Sequence, residues 1–315
     1  MNPEVLILTS LYDFSADLVV LQLKEQGVSV LRINKEQLSE YEILVDPVQP
    51  SIEFRINGEL IGTSKQLKSI WFRQPVFLRN TPPTPLPPGE QLKRSQWSAF
   101  LRGLSVLDHV AWMNWPQSTY LAESKPYQLL TARRSGLTVP KTIVSNDAHT
   151  IKDHFRESII IKSLDTVLLR DKDDCLFTYA SVCNMDDIKL EAVKNAPILA
   201  QEYIEPKIDY RVTVIGDSLT AVKILSDGYP ISGDWRTVDK VKLEYVDCYL
   251  PKNIKDSCKQ LMNRLNLNFG AIDFVETTTG FVFLEINPTG EWGWLNSKER
   301  RLDITVANWL ARREG

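Results

Sequence analysis

The 315-residue chain is poor in the residues that mark several large protein classes. It has three histidines (His109, His149 and His154) and four cysteines (Cys175, Cys183, Cys248 and Cys258). Neither set has zinc-site spacing, and no CxxC pair suggests a redox dithiol. The cysteines read as reduced, structural thiols of a cytosolic protein. No apolar run approaches the length of a membrane span. An excess of one charge is missing too. The formal net charge of −3 gives no basic bias that would draw in nucleic acid or an anionic membrane. The first residues, Met1-Asn-Pro-Glu-Val-Leu-Ile-Leu, lack a basic n-region and read as a first strand rather than a signal peptide. There is no internal repeat. What is left is ordinary globular composition, 43% hydrophobic and 24% charged, in a chain long enough for two or three compact units.

The strongest positive signal is a pair of apolar runs. Phe269-Gly-Ala-Ile-Asp273-Phe-Val-Glu is followed, across Thr-Thr-Thr-Gly, by Phe281-Val-Phe-Leu-Glu285-Ile-Asn287-Pro-Thr-Gly290. Asp273 sits between Ile272 and Phe274, and Glu285 between Leu284 and Ile286. A buried carboxylate needs a partner. One candidate is a divalent cation, since Mg²⁺ takes oxygen ligands and usually shares them with substrate phosphates. The other is pairing with lysine or arginine.

Upstream, Glu4–Thr9, a helix over Asp13–Gly27 and a strand over Val28–Ile33 give a β-α-β start and a small parallel sheet. Asn57-Gly58 between Ser51–Ile56 and Leu60–Thr63 predicts a hairpin. Ser69–Phe72 is a further strand, and the proline-rich 81–88 must be an extended surface segment. Helices are expected over Glu90–Val110, Ser118–Ser135, Met185–Lys194, Asn253–Leu265 and Ser297–Arg312. Strands are expected over 158–163 and Ile198–Tyr203, with hairpins over 166–180 and around Gly216-Asp217. The units divide as 1–117, 118–197 and 198–315.

Several polar residues stand out against this frame. Lys162 ends an Ile-Ile-Ile run, where a buried ammonium needs an anion. Lys125 precedes Pro126 at a helix start. Two lysines from separate elements suit a polyphosphate, although a solvated surface lysine is the plainer reading of Lys125 by itself. Gln201-Glu202-Tyr203-Ile204 follows a short strand and reads either as a hinge facing an adenine edge or as an ordinary edge strand. Asp209-Tyr-Arg211 and Asp234-Trp-Arg236 supply guanidinium forks for carboxylate or phosphate, or for surface ion pairs. Arg211, Thr213 and Ile215 share one strand face, and Lys223 is expected opposite Arg211 in the neighbouring strand.

Taken in order, Lys125, Lys162, the Gln-Glu-Tyr-Ile hinge, Asp-Tyr-Arg and Asp273…Glu285-x-Asn287 resemble ATP-grasp ligases. Trp71-Phe-Arg-Gln-Pro, Trp112-Met-Asn-Trp-Pro, Ser124-Lys-Pro-Tyr-Gln-Leu, Gly136-Leu-Thr-Val-Pro-Lys-Thr and Asn287-Pro-Thr-Gly-Glu-Trp resemble one branch, the microviridin-type peptide maturases or graspetide synthetases. The likeness covers nearly the whole chain. One departure is Gln74, where that branch leads us to expect a second arginine.

The resemblance implies an α/β ATP-grasp fold. An N-terminal pre-ATP-grasp domain would precede central and C-terminal α+β domains that clasp ATP. It further implies that Lys125 and Lys162 hold the ATP phosphates, and that Gln201, Glu202, Tyr203 and Ile204 form the adenine hinge. Asp209 would approach the ribose, and Asp273, Glu285 and Asn287 would bind Mg²⁺. Arg211 and Arg236 would hold the transferred phosphoryl group, with Lys223 assisting. The partner so implied is a ribosomal precursor peptide with leader and core. Its Asp or Glu side chains would be joined to Ser/Thr hydroxyls or Lys amines, with ester and amide both open. We place the leader contact on the 166–180 hairpin and an acidic helix carrying Asp186, Asp187 and Glu191, which also reads as a solvated face. Homodimers are common in that family, and the sequence leaves the oligomeric state open. Two alternatives stand beside this reading: an ATP-grasp ligase that adds a free amino acid, of glutamate-ligase or glutathione-synthetase type, and a nucleotide-binding module without catalysis.

Overall fold

Four apolar segments, Val5–Thr9, Val30–Asn34, Ser69–Phe72 and Ala111–Met113, pair in parallel in the order second, first, third, fourth. Val5–Thr9 is buried along its whole length, as a strand covered on both faces should be. Its odd residues Val5 and Ile7 join one core and its even residues Leu6 and Leu8 another. Helix Phe14–Glu25 packs in the first core, and the Asp13 carboxylate caps it by accepting the Ala16 N–H at 3.1 Å. The computed structural model describes residues 2–73, 75, 86–165, 168–171, 174–177, 180–188 and 190–312. Gln74, residues 81–85 of the proline-rich segment and the 172–173 tip of the predicted 166–180 hairpin lie outside the described residues.

A three-stranded antiparallel sheet, Glu42–Asp46, Ser51–Ile56 and Glu59–Thr63, flanks the parallel one. Asn57 and Gly58 both have positive φ, 49° and 78°, as the predicted hairpin turn requires. The central sheet is antiparallel in the order Ser181–Cys183, Ile159–Lys162, Ile198–Glu202, Thr142–Ser145. The C-terminal sheet runs Leu243–Cys248, Ser218–Ser226, Ile208–Ile215, Phe269–Thr277, Gly280–Asn287. Helix Lys252–Leu265 covers one face of it through Ile254, Leu261 and Leu265. The other face shares a core with the N-terminal sheet, where Val222, Phe269 and Trp292 meet Ile7, Trp71 and the closing helix Leu302–Leu310. Among the described residues no helix is long and apolar enough to cross a membrane.

Several predicted helices differ. The helix expected over Ser118–Ser135 is two, Pro116–Ala122 and Lys125–Arg134. Pro126 has no N–H to give the Ala122 carbonyl, so the chain restarts there. Gln128 takes over that carbonyl at 2.6 Å and bonds the Ile286 backbone in both directions, at 2.8 and 3.1 Å. Both helices pack in the core of the C-terminal sheet. Glu90–Val110 is an α-helix only over Pro88–Gly103, followed by a 3-10 turn. The closing helix starts at Leu302 rather than Ser297. Met185–Lys194 splits into a 3-10 turn, Met185–Asp187, and a short helix, Leu190–Lys194, because Ile188 between them is extended. Asp186 and Asp187 therefore do not share a helical face with Glu191, and the single acidic helix expected from the sequence does not form.

Candidate active site

Three adjacent strands place Arg211, Asp273 and Glu285 in one cross-strand row. Partners directly opposite in a ladder project from the same face, so the three polar side chains meet. The Arg211 guanidinium donates from Nη1 to Asp273 Oδ1 at 2.7 Å. Arg236, on the loop after Asp234, donates from Nη2 to Asp273 Oδ2 at 2.5 Å and to Glu285 Oε1 at 3.0 Å. Asp273 and Arg211 are buried. Burial pushes the Asp273 carboxyl up, but the two guanidiniums outweigh it and hold the group below the usual aspartate range. Burial also opposes the charge of Arg236, yet Asp273, Glu285 and Asp234 raise its pKa. Arg211 Nε is buried with no hydrogen-bond partner among the described residues.

Asp273 and Arg236 line a cleft between the central and C-terminal sheets. Lys162 lines it from the central sheet, and Gln201, Glu202, Tyr203 and Ile204 from the end of the neighbouring strand. Burial lowers the Lys162 pKa. The carboxylates of Glu285 and Asp273 counter this, whereas Arg236 and Lys125 add to it. Four charged groups thus act on Lys162. Lys125 stands at the first turn of its helix, half-buried. Gln201 is buried and its amide donates to Thr142 Oγ1 at 3.0 Å. The Glu202 carboxylate turns to the Lys141 N–H at 2.8 Å, and Tyr203 and Ile204 lie past the strand end.

Asp209 enters the same cleft, clamped by Lys207 at 2.5 Å. Lys207 also donates to the Ile231 carbonyl at 3.0 Å. Burial pushes the Asp209 pKa up to about 6 against the pull of Lys207. Lys207 was not singled out from sequence. Its signal was present, since Lys207 stands two residues before Asp209, just ahead of the strand Ile208–Ile215 that carries Asp209 and Arg211 on one face.

Lys223 is a correction. Its register partner is Tyr210, and Arg211 faces Val222 instead. A one-residue difference in register moves a strand side chain to the other face. Lys223 therefore lies over the Tyr210 ring, its Nζ 5.6 Å from the centroid, on the face away from Arg211. Asp186, Asp187 and Glu191 are exposed and do not line the cleft. Two further parts carried no assigned role in the sequence reading. Arg73 is fully buried, donates to Glu291 Oε1 at 2.6 Å and to the Thr289 carbonyl, and so ties the N-terminal sheet to the turn after Asn287. Trp235 and Trp294 pack with ring centroids 5.6 Å apart beside the two arginines.

The donor set fits Mg²⁺ in type. It is all oxygen, with Asp273 and Glu285 directly paired and Asn287 two residues on, on the same strand face. Here those oxygens have protein partners. Arginines hold both carboxylates, and Asn287 Oδ1 accepts the Thr289 N–H at 3.0 Å. Among the described residues no group of three or more His, Cys, Asp and Glu side chains is placed to hold a metal.

The architecture and cleft define an ATP-grasp fold. The chain superposes along its length on solved ATP-grasp proteins. Macrocyclase MdnC of Microcystis aeruginosa MRC, bound with precursor peptide MdnA, matches with a TM-score of 0.82 at 23% identity over 98% of this chain and 99% of that one. The RiPP-associated ATP-grasp ligase of Chryseobacterium gregarium, in complex with ADP and a leader and core peptide, gives 0.83 at 22% over 100% and 98%. The ATP-grasp ligase PsnB, complexed with minimal precursor, Mg and ADP, gives 0.72 at 17% over 99% and 98%. No protein-family model and no curated protein matches the chain.

Proposed function

We propose that the chain is an ATP-dependent ligase that closes rings in a ribosomal precursor peptide. One observation carries this reading: a single cleft gathers the 201–204 hinge, Lys162, Arg236 and the buried Asp273, in a chain that matches along its length a macrocyclase bound with its precursor peptide and an ATP-grasp ligase in complex with a leader and core peptide. Both the complete set of charged groups and the orphaned Arg211 Nε fit an enzyme handling anions better than a bare binding module.

A carboxylate is a poor acyl donor because its leaving group is oxide. Transfer of the γ-phosphoryl group to it gives an acyl phosphate, whose leaving group is phosphate. That step needs positioning and charge neutralisation rather than a nucleophilic side chain. In this reading Lys125 and Lys162 grip the ATP phosphates, and Gln201, Glu202, Tyr203 and Ile204 hold the adenine. Asp209, held by Lys207, stands towards the ribose. Arg211 and Arg236 neutralise the transferred phosphoryl group and the acyl phosphate. Asp273, Glu285 and Asn287 would hold Mg²⁺, which would supply charge neutralisation at the phosphates. Serine or threonine hydroxyls give esters and lysine amines give amides, and the nucleophile's place in the peptide selects between them. We assign the leader contact to the 166–180 segment and to Asp186, Asp187 and Glu191.

The test uses a candidate precursor, a short peptide rich in Asp/Glu and in Ser, Thr or Lys, sought among the reading frames that neighbour the gene for this chain. Incubation with Mg·ATP should release ADP and remove one water per ring, read by mass spectrometry. Glu285→Ala should lower ring formation by about a hundredfold or more, the scale for losing a charge-organising group at the reacting centre. It should leave the thermal unfolding transition in place. Wild-type cyclisation by Glu285→Ala would sink the metal assignment.

A further inference from the structure

Resting on that reading, we propose that Trp294, backed by Trp235, walls off the activated peptide carboxyl from water, so that the acyl phosphate meets the peptide's own nucleophile and not solvent. The two arginines beside Asp273 each have an indole against them. Arg236 Cζ lies 4.9 Å from the Trp235 ring centroid, and Arg211 Cζ 6.0 Å from that of Trp294. The two indoles touch each other, and Tyr245 closes on Trp294 with centroids 4.6 Å apart. Trp235 also lines the cleft. The Glu291 carbonyl fixes this geometry, because it accepts both Trp294 Nε1 at 3.1 Å and Arg211 Nη2 at 3.3 Å. One oxygen therefore holds the wall and the phosphoryl-facing arginine in register.

Core packing does not explain Trp294. Its neighbour Trp292 fills that role at 0% exposure, whereas Trp294 keeps 37% of its surface open beside the site. A large rigid ring costs little entropy to hold and covers much area once a substrate closes over it. The chemistry needs such cover. A peptide carboxylate oxygen attacks the γ-phosphorus, and the bond to ADP breaks. A peptide hydroxyl or amine then attacks the carbonyl carbon, the bond to phosphate breaks, and the nucleophile's proton leaves with phosphate or solvent. Water attacking the same carbon returns the carboxylate and phosphate, and one ATP is consumed for nothing. Excluding water suppresses that branch and strengthens the arginine–phosphate attraction as well.

The experiment compares wild type, Trp294→Ala and Trp294→Phe with Mg·ATP and the same candidate precursor peptide, in water enriched in heavy oxygen. It reads ADP released per water lost from the peptide, and heavy oxygen in the carboxyls of uncyclised peptide. Trp294→Ala should raise ADP per ring by about threefold or more and label the peptide carboxyls, as expected when a site admits water. Trp294→Phe keeps a ring and should stay near wild type. Trp294→Leu replaces the alanine variant if that does not fold. Wild-type coupling and no label in the ring-free variant would overturn the wall alone. A wild-type chain that releases no ADP with the peptide would overturn the proposed function, and the wall with it.

Discussion

Asp209 shows how one buried carboxyl reports on this cleft. Its folded-state pKa is raised to about 6, above the ordinary 3.8, because burial outweighs the Lys207 contact. The folded state therefore binds this proton more tightly than the unfolded one. The stability it contributes is fully present below pH 3.8 and is lost as pH rises through about 6. Urea unfolding from pH 4 to 7 should show wild type losing stability relative to Asp209→Asn across that window. Parallel curves would show that Asp209 titrates normally. Asp209 and Arg211 were singled out from the sequence, whereas Lys207, two residues before Asp209, was not. The strength of the clamp was not legible there, because it depends on Ile231 receiving the same ammonium 24 residues on.

Among the elements, the strand pair Phe269–Thr277 and Gly280–Asn287 and the turn after it carry the candidate site. Gly290 is required there by close approach. A Cβ would meet Ala271 Cβ at 2.7 Å and Arg211 Nη2 at 3.0 Å. Gly290→Ala should cost about 1–3 kcal/mol in urea unfolding, the usual scale of overpacking. It should also lower peptide turnover by displacing Arg211. An unchanged midpoint would mean that the turn relaxes freely. The carboxylate pair was readable because each acid sits in an apolar run. The arginine partners were kept open as an alternative, and it is the pairing present here. Lys223 was misplaced because sequence gives the alternation within a strand but not its register against the next. The 118–135 helix break was missed although Pro126 marked it.

At the scale of the molecule, Arg73 joins the N-terminal sheet to the C-terminal site. Its guanidinium is buried against Thr289 O and Glu291, with Asp13 Oδ2 at 3.4 Å from Nε. Arg73→Met should cost about 3–5 kcal/mol, since it leaves the buried Asp13 without its cation. It should also speed amide hydrogen exchange across 288–294. Unchanged exchange there would show that the turn is held from its own sheet alone. Gln74, beside it, departs from the arginine expected in that branch. Arg73 therefore serves structure in this chain without a cationic neighbour on its C-terminal side.

The sequence by itself determined the two carboxylate strands and the alternating face of Arg211, which rest on local periodicity that the backbone enforces over a few residues. The ATP-grasp fold class came from the resemblance of its ordered motifs instead. Only the tertiary structure decided that Asp273 is shared by arginines 62 and 37 residues away, and that Lys223 faces the other way. It alone brought Trp235 and Trp294 together beside those arginines. Register and sheet-on-sheet packing set such contacts, and both are satisfied by the whole core rather than by any one segment.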